Sequence, residues 1–139
     1  MTRAVVVDTN VLVSGLLTRD ERAPTARIVD WILRGEFHLL LSMDLLAEYR
    51  TVLLRPAIRR RHGLSEEQVD DLLGEIAALA AFRQTLSASE AERRKDEHLR
   101  RLLSAAPEAV LVTGDERLRA GLSPGIQALT PRDFLAGKR

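Results

Sequence analysis

The sequence predicts an α/β fold of three layers, with helices on both faces of a central parallel sheet, and three observations lead there. Short apolar runs such as AVVV, FHLLL and AVLVT recur along the chain. Between them lie stretches whose apolar residues repeat at helical spacing. Strands and helices that alternate in this way close most simply as parallel strands joined by right-handed crossovers.

Ala4 to Val7 reads as a buried strand that stops at Asp8, and Val11, Leu12, Leu16 and Leu17 then recur as one face of a helix. Pro24 suits a first helical turn; the stripe Ile28, Val29, Ile32 and Leu33 follows it and ends near Gly35. Phe37 to Leu41 is the second strand. Ser42 caps the segment MDLLAEYRTVLL, which Pro56 ends because the residue before a proline avoids helical angles. Ser65 and Gln68 form a capping-box pair ahead of a long amphipathic helix carrying Val69, Leu72, Leu73, Ile76, Leu79 and Ala80. A polar joint, SASEAERRK, precedes the helix EHLRRLLSAA and the strand AVLVT, closed by Gly114 and Asp115. A last strand near Gln127 to Leu129 leads to Thr130 and Pro131, the cap and first turn of a short helix, PRDFL. No repeat, low-complexity tract or long linker divides the chain, so residues 1–139 are expected to form one domain.

Composition excludes several kinds of chemistry. Cysteine is absent, which removes disulfides, thiolate metal sites and sulfur nucleophiles, and suits a reducing cytosol. Lys+Arg total 21 against 20 for Asp+Glu, so no global field attracts nucleic acid and any anion site must be local. Only Lys95 and Lys138 among those cations are lysines. The planar fork of arginine grips phosphate in two places, although an Arg- and Ala-rich composition also follows from base composition alone. No signal-peptide pattern or membrane-length apolar run is present, so a cytoplasmic protein with no membrane partner is expected.

Four acids stand in unusual positions: Asp8, Glu48, Asp96 and Asp115. Asp8 and Asp115 lie at carboxyl ends of strands, where open α/β sheets bind ligands. Asp96 falls within the apolar stripe Leu99, Leu102, Leu103 and Ala106, whereas Glu97 and His98 are expected to point elsewhere. Glu48 borders the stripe Leu45, Tyr49 and Val52. Each acid also has a plain structural use: Asp8 and Asp115 as helix caps, Asp96 as a first-turn anion, Glu48 as an arginine partner. Taken together, carboxylates crowded at one sheet edge raise each other's proton affinity unless a cation neutralises them. Hard oxygen ligands of this kind select Mg²⁺ or Mn²⁺, which bind phosphate oxygens and acidify water. That chemistry is phosphodiester hydrolysis.

The stretches VVVDTNVLVSGLL, LLLSMDLLAEYRTVLLRP, DEHLRRLL running into AVLVTGDERL, and ALTPRDFL together resemble the PIN-domain nucleases, most closely the VapC-like branch of toxins in toxin–antitoxin systems. The resemblance spans nearly the whole chain in order. It puts Asp8, Glu48, Asp96 and Asp115 on the acidic metal-site positions, with Glu48 acting directly or through the attacking water. Thr9, Asn10 and Thr113 fall on polar positions that orient the carboxylates. Relatives often carry further acids just before the third position, where this chain has Arg93, Arg94 and Lys95. The resemblance implies a PIN-like parallel sheet flanked by helices and an Mg²⁺- or Mn²⁺-dependent endoribonuclease acting without a covalent intermediate. It also implies a homodimer that a small antitoxin silences. The same fold serves RNA-processing nucleases and binding domains without turnover.

The run RPAIRRRHG brings Arg55, Arg59, Arg60, Arg61 and His62 together between two helices, either as a solvated loop or as a grip for an RNA backbone. No aromatics interleave with these cations, so base stacking there has no support. The histidines lie too far apart in pattern to suggest an acid–base pair, and neither a nucleophile elbow nor a phosphate-binding glycine loop is present. Trp31 and Tyr49 sit at core spacing.

Overall fold

A computed structural model describes residues 4–85 and 97–137. Their elements run β1 (Ala4–Val7), α1 (Thr9–Leu17), α2 (Pro24–Leu33), β2 (His38–Leu41), α3 (Met43–Leu53), α4 (Pro56–His62), α5 (Glu66–Leu79) and β3 (Ala81–Phe82). After the undescribed stretch come α6 (Glu97–Ala105), β4 (Val110–Val112), α7 (Glu116–Ala120), β5 (Gln127–Leu129) and α8 (Pro131–Gly137). The five strands form one all-parallel sheet in the order β3-β2-β1-β4-β5, with helices on both faces, as the alternation predicted.

Strand β1 is central and buried on both faces, which is why it reads as an unbroken apolar run: Val5, Val6 and Val7 are at most 1% exposed. Successive strands step outward from β1 to β2 and β3, and the chain then returns to lay β4 on the opposite side of β1. The order therefore reverses between β1 and β4, the place beyond whose strand ends open α/β sheets bind their ligands. The pairing Val7↔Val112 continues past both strands through Asp8 N–H to the Val112 carbonyl at 3.0 Å. Residue 8 and the residues after 112 consequently leave the sheet side by side.

Local chemistry sets the helix boundaries. Ser42 Oγ accepts the Leu45 N–H, and Ser65 and Gln68 make the full capping box. Thr130 Oγ1 accepts the Asp133 N–H ahead of α8. The RPAIRRRHG run is a helix where the sequence left a loop open: Pro56 fits the first turn and Gly63, at φ 71°, terminates it in the left-handed region. His62 does not face outward with the arginines. Its Nδ1 accepts the Leu64 N–H and its Nε2 lies 2.8 Å from the Leu53 carbonyl, fastening α4 to the end of α3.

Helices α1 and α2 pack unusually closely at Gly15, where an added Cβ would lie 2.4 Å from the Thr25 carbonyl and 2.5 Å from Val29 Cγ2. The α5 stripe is narrower than its spacing suggested, since Leu79 is exposed at the helix end. On the far side Phe134 of α8 meets Trp31 and Phe37 edge-on, with centroids at 6.4 and 5.4 Å. No described helix is long and apolar enough to cross a membrane.

Candidate active site

Asp8 occupies the N-cap position of α1, yet its side chain makes no cap hydrogen bond. It is 6% exposed, and its Oδ2 accepts the Thr113 hydroxyl at 2.7 Å. Capping thus does not explain this carboxylate, which is buried at the β1–β4 strand ends without the use that its position offers. Thr113, fully buried after β4, also accepts the Asp115 N–H at 3.1 Å and so ties the two strand ends through one hydroxyl.

Asp115 does cap its helix: its Oδ1 accepts the N–H groups of Arg117 and Leu118 at 2.9 and 3.2 Å. Its Oδ2 makes no hydrogen bond among the described residues, and the residue is exposed. The cap fixes the carboxylate through one oxygen.

Glu48 reaches the same region from α3. Its Oε2 accepts the Thr9 hydroxyl at 2.9 Å, and His98 Nε2 lies 2.9 Å from that oxygen. The other ring nitrogen, Nδ1, has no hydrogen-bond partner among the described residues. Burial pushes the Glu48 carboxyl up, but the His98 contact, the Thr9 hydroxyl and the electrostatic pull of His98 and Arg55 together hold it below its ordinary 4.5. A carboxyl lowered in the folded state stabilises fully above its unfolded value and loses that contribution as pH falls through the folded one. Metal-free protein is therefore expected to lose melting temperature as pH drops below about 4.5, and Glu48→Gln to flatten that loss in a calorimetric pH series.

His98 corrects the expectation that it points away from the core. It is 1% exposed and packs against α3. At roughly 100° per residue it stands one step from Leu99, on the margin of the apolar stripe, and α3 covers that margin. The Glu48 contact could have been suspected only from knowing which helix lies across α6.

Tyr49, next to Glu48, is more than core packing. Its hydroxyl donates to the Val7 carbonyl at 2.5 Å, anchoring α3 to the end of β1 immediately before Asp8. Burial, then the charges of Asp8 and Glu48, push this phenol well above its ordinary 10.0, which keeps it a donor.

Asn10 is exposed and makes no hydrogen bond among the described residues; together with Asp115 it lines a cavity. Asp96 lies outside the described residues, as do Arg93, Arg94 and Lys95. Arg55, Arg59, Arg60 and Arg61 are all exposed on or beside α4, and none makes an ion pair among the described residues. Arg50 by contrast is committed to Asp70 and Glu66 at 2.7 Å each.

A family model described as PIN domain matches residues 4–117, from β1 through Asp115 to the start of α7. The chain belongs to the PIN-domain family. This domain is generally a metal-dependent nuclease fold, which makes the protein at the coarse level a nuclease-type hydrolase. A comparison with curated proteins finds no match.

Asp8 and Glu48 offer carboxylate oxygens oriented by the Thr113 and Thr9 hydroxyls, the chain has no cysteine, and hard oxygen donors of this kind suit Mg²⁺ or Mn²⁺. Among the described residues, no three of the acids and histidines already stand close enough to cage an ion.

Proposed function

We propose that this PIN-domain protein is a metal-dependent endoribonuclease, the toxin of a toxin–antitoxin pair. Asp8, Glu48, Asp96 and Asp115 are its acidic residues, and Thr9 and Thr113 hold two of them in place. The observation that carries the reading is Asp8, a buried carboxylate at a helix N-cap that forgoes capping and is oriented by Thr113 across the strand-order reversal. Bound Mg²⁺ or Mn²⁺ would supply charge stabilisation on the phosphate and an acidified water. The chain's own residues orient the carboxylates: Thr9 and His98 fix Glu48, Thr113 fixes Asp8, and Tyr49 sets the spacing between their elements.

Arg55, at the N-cap of α4, acts on Glu48 electrostatically, and Arg59, Arg60 and Arg61, which make no ion pair among the described residues, follow it along that helix. A polyanion crossing the strand ends would find them along its path. Arg59→Ala combined with Arg60→Ala is expected to weaken RNA binding and lower the slope of log K against log salt by about 1–2, because each phosphate contact contributes about 0.7 for a single strand. Fluorescence anisotropy across a salt series measures this.

A protein partner has its own support in the apolar groove between α3 and α5, lined by Met43, Leu46, Leu73 and Ala77, where Met43 is 71% exposed. An amphipathic antitoxin helix would cover it. The deciding experiment incubates purified protein with RNA, with and without Mn²⁺, and measures the melting temperature in parallel. Cleavage and a rise in melting temperature, both reversed by chelation, support the nuclease. RNA binding without cleavage would favour a silent domain, and cleavage with no neighbouring antitoxin reading frame an RNA-processing enzyme.

A further inference from the structure

We infer that the cavity between α1, α2 and the β4–α7 turn is a subsite for the nucleoside next to the scissile phosphate, one that reads the ribose 2′-hydroxyl. The inference rests on the nuclease reading above, since the cavity adjoins Asp115. Its volume is about 380 Å³, and Asn10, Ser14, Thr25, Asp115 and Pro131 line it. Pockets that enclose small organic groups begin near 300 Å³, so a ribose and its base fit.

The chemistry of the walls narrows the ligand. Neither lysine nor arginine lines the cavity, so its walls offer no cation to seat an anion. Asp115 is the one carboxylate in the lining, too few to hold a divalent cation there. What remains is a neutral group rich in donors and acceptors. The Ser14 and Thr25 hydroxyls share one long hydrogen bond at 3.4 Å in which either can donate, so each keeps capacity for a further partner, and the Asn10 amide makes no hydrogen bond among the described residues. A 2′-hydroxyl is itself donor and acceptor, and inserting it between such partners satisfies both. Val11 and Pro131 supply apolar surface for the face of a base.

The hydroxyl pair is a product of the fold. Gly15 lets α1 approach α2 until the Thr25 carbonyl occupies the space of a Cβ, and this approach brings Ser14 opposite Thr25. One nucleotide seated here would lie against Asp115, while the chain on its other side runs toward Asp8.

The test uses a fluorescein-labelled RNA pool of random sequence and its all-2′-deoxy and 2′-O-methyl counterparts. Binding is read by anisotropy in EDTA, and KM and kcat are read in Mn²⁺. Wild type is expected to bind RNA about tenfold more tightly than either counterpart, and Ser14→Ala combined with Thr25→Val to remove that preference, raising KM for RNA while the Mn²⁺-induced melting shift persists. Asn10→Ala, an exposed change that spares the helix packing, is expected to reduce the preference in the same direction. A wild type that binds RNA and DNA equally, or variants that keep the wild-type ratio, overturn the subsite. Failure of the nuclease reading looks different: no cleavage and no Mn²⁺-induced melting shift. The binding ratio still decides the subsite in that case.

Discussion

Asp8→Asn is expected to lower Mn²⁺-dependent RNA cleavage at least about 100-fold, because even residues that only orient metal ligands cost 10–100-fold when replaced. The folded state should tolerate the change. Asn keeps an oxygen for the Thr113 hydroxyl, and the α1 cap does not depend on the Asp8 side chain. Removing a buried negative charge is expected to leave the metal-free melting temperature unchanged or raise it, and to abolish the rise that Mn²⁺ produces. Rate and melting temperature measured on the same preparation separate chemistry from folding. Cleavage at the wild-type rate in the variant would remove Asp8 from the active site, and loss of folding would return it to a purely structural role.

Gly15→Ala is expected to destabilise the protein by about 1–3 kcal/mol, the usual cost of overpacking a closely packed contact. The intruding methyl meets backbone at the Thr25 carbonyl, which cannot rotate away as a side chain tip can. The helix axes must separate, and a drop in melting temperature of roughly 3–10 °C should follow in calorimetry. Alanine favours helix over glycine by roughly 1 kcal/mol, so the measured loss is what remains after that gain. An unchanged or higher melting temperature would mean that α1 and α2 can part without cost.

Much of this architecture is legible because its causes are local. The Ser65 and Gln68 capping box, the Ser42 cap and the β-branched run at Val5 to Val7 each announce themselves within a few residues, and each is found in place. Helix α4 was open to the same reading, with Pro56 at its start and Gly63 just past its end, but the run of arginines between them drew attention to charge instead. Strand β3 is a two-residue segment that exists only because β2 lies beside it, and no window of sequence carries that pairing.

The candidate site divides in the same way. That Asp8 and Asp115 stand at strand ends follows from the pattern, whereas the Thr113 hydroxyl that links them spans 105 positions to Asp8 and becomes visible only with the sheet order. His98 was misplaced because the stripe of α6 defines a face but not which neighbour covers its margin. Asn10 was grouped with the hydroxyls by resemblance, and its exposed place on the cavity wall needed coordinates.

The central position of β1 and β4 has a consequence for how the molecule breathes. Amide protons in these strands can meet solvent only when the sheet parts at its middle, so their exchange should report opening of the whole unit rather than local fraying. Asp8 and Thr113 are one residue beyond those amides. Heat or denaturant should therefore leave their mutual alignment undisturbed until the entire structure is lost.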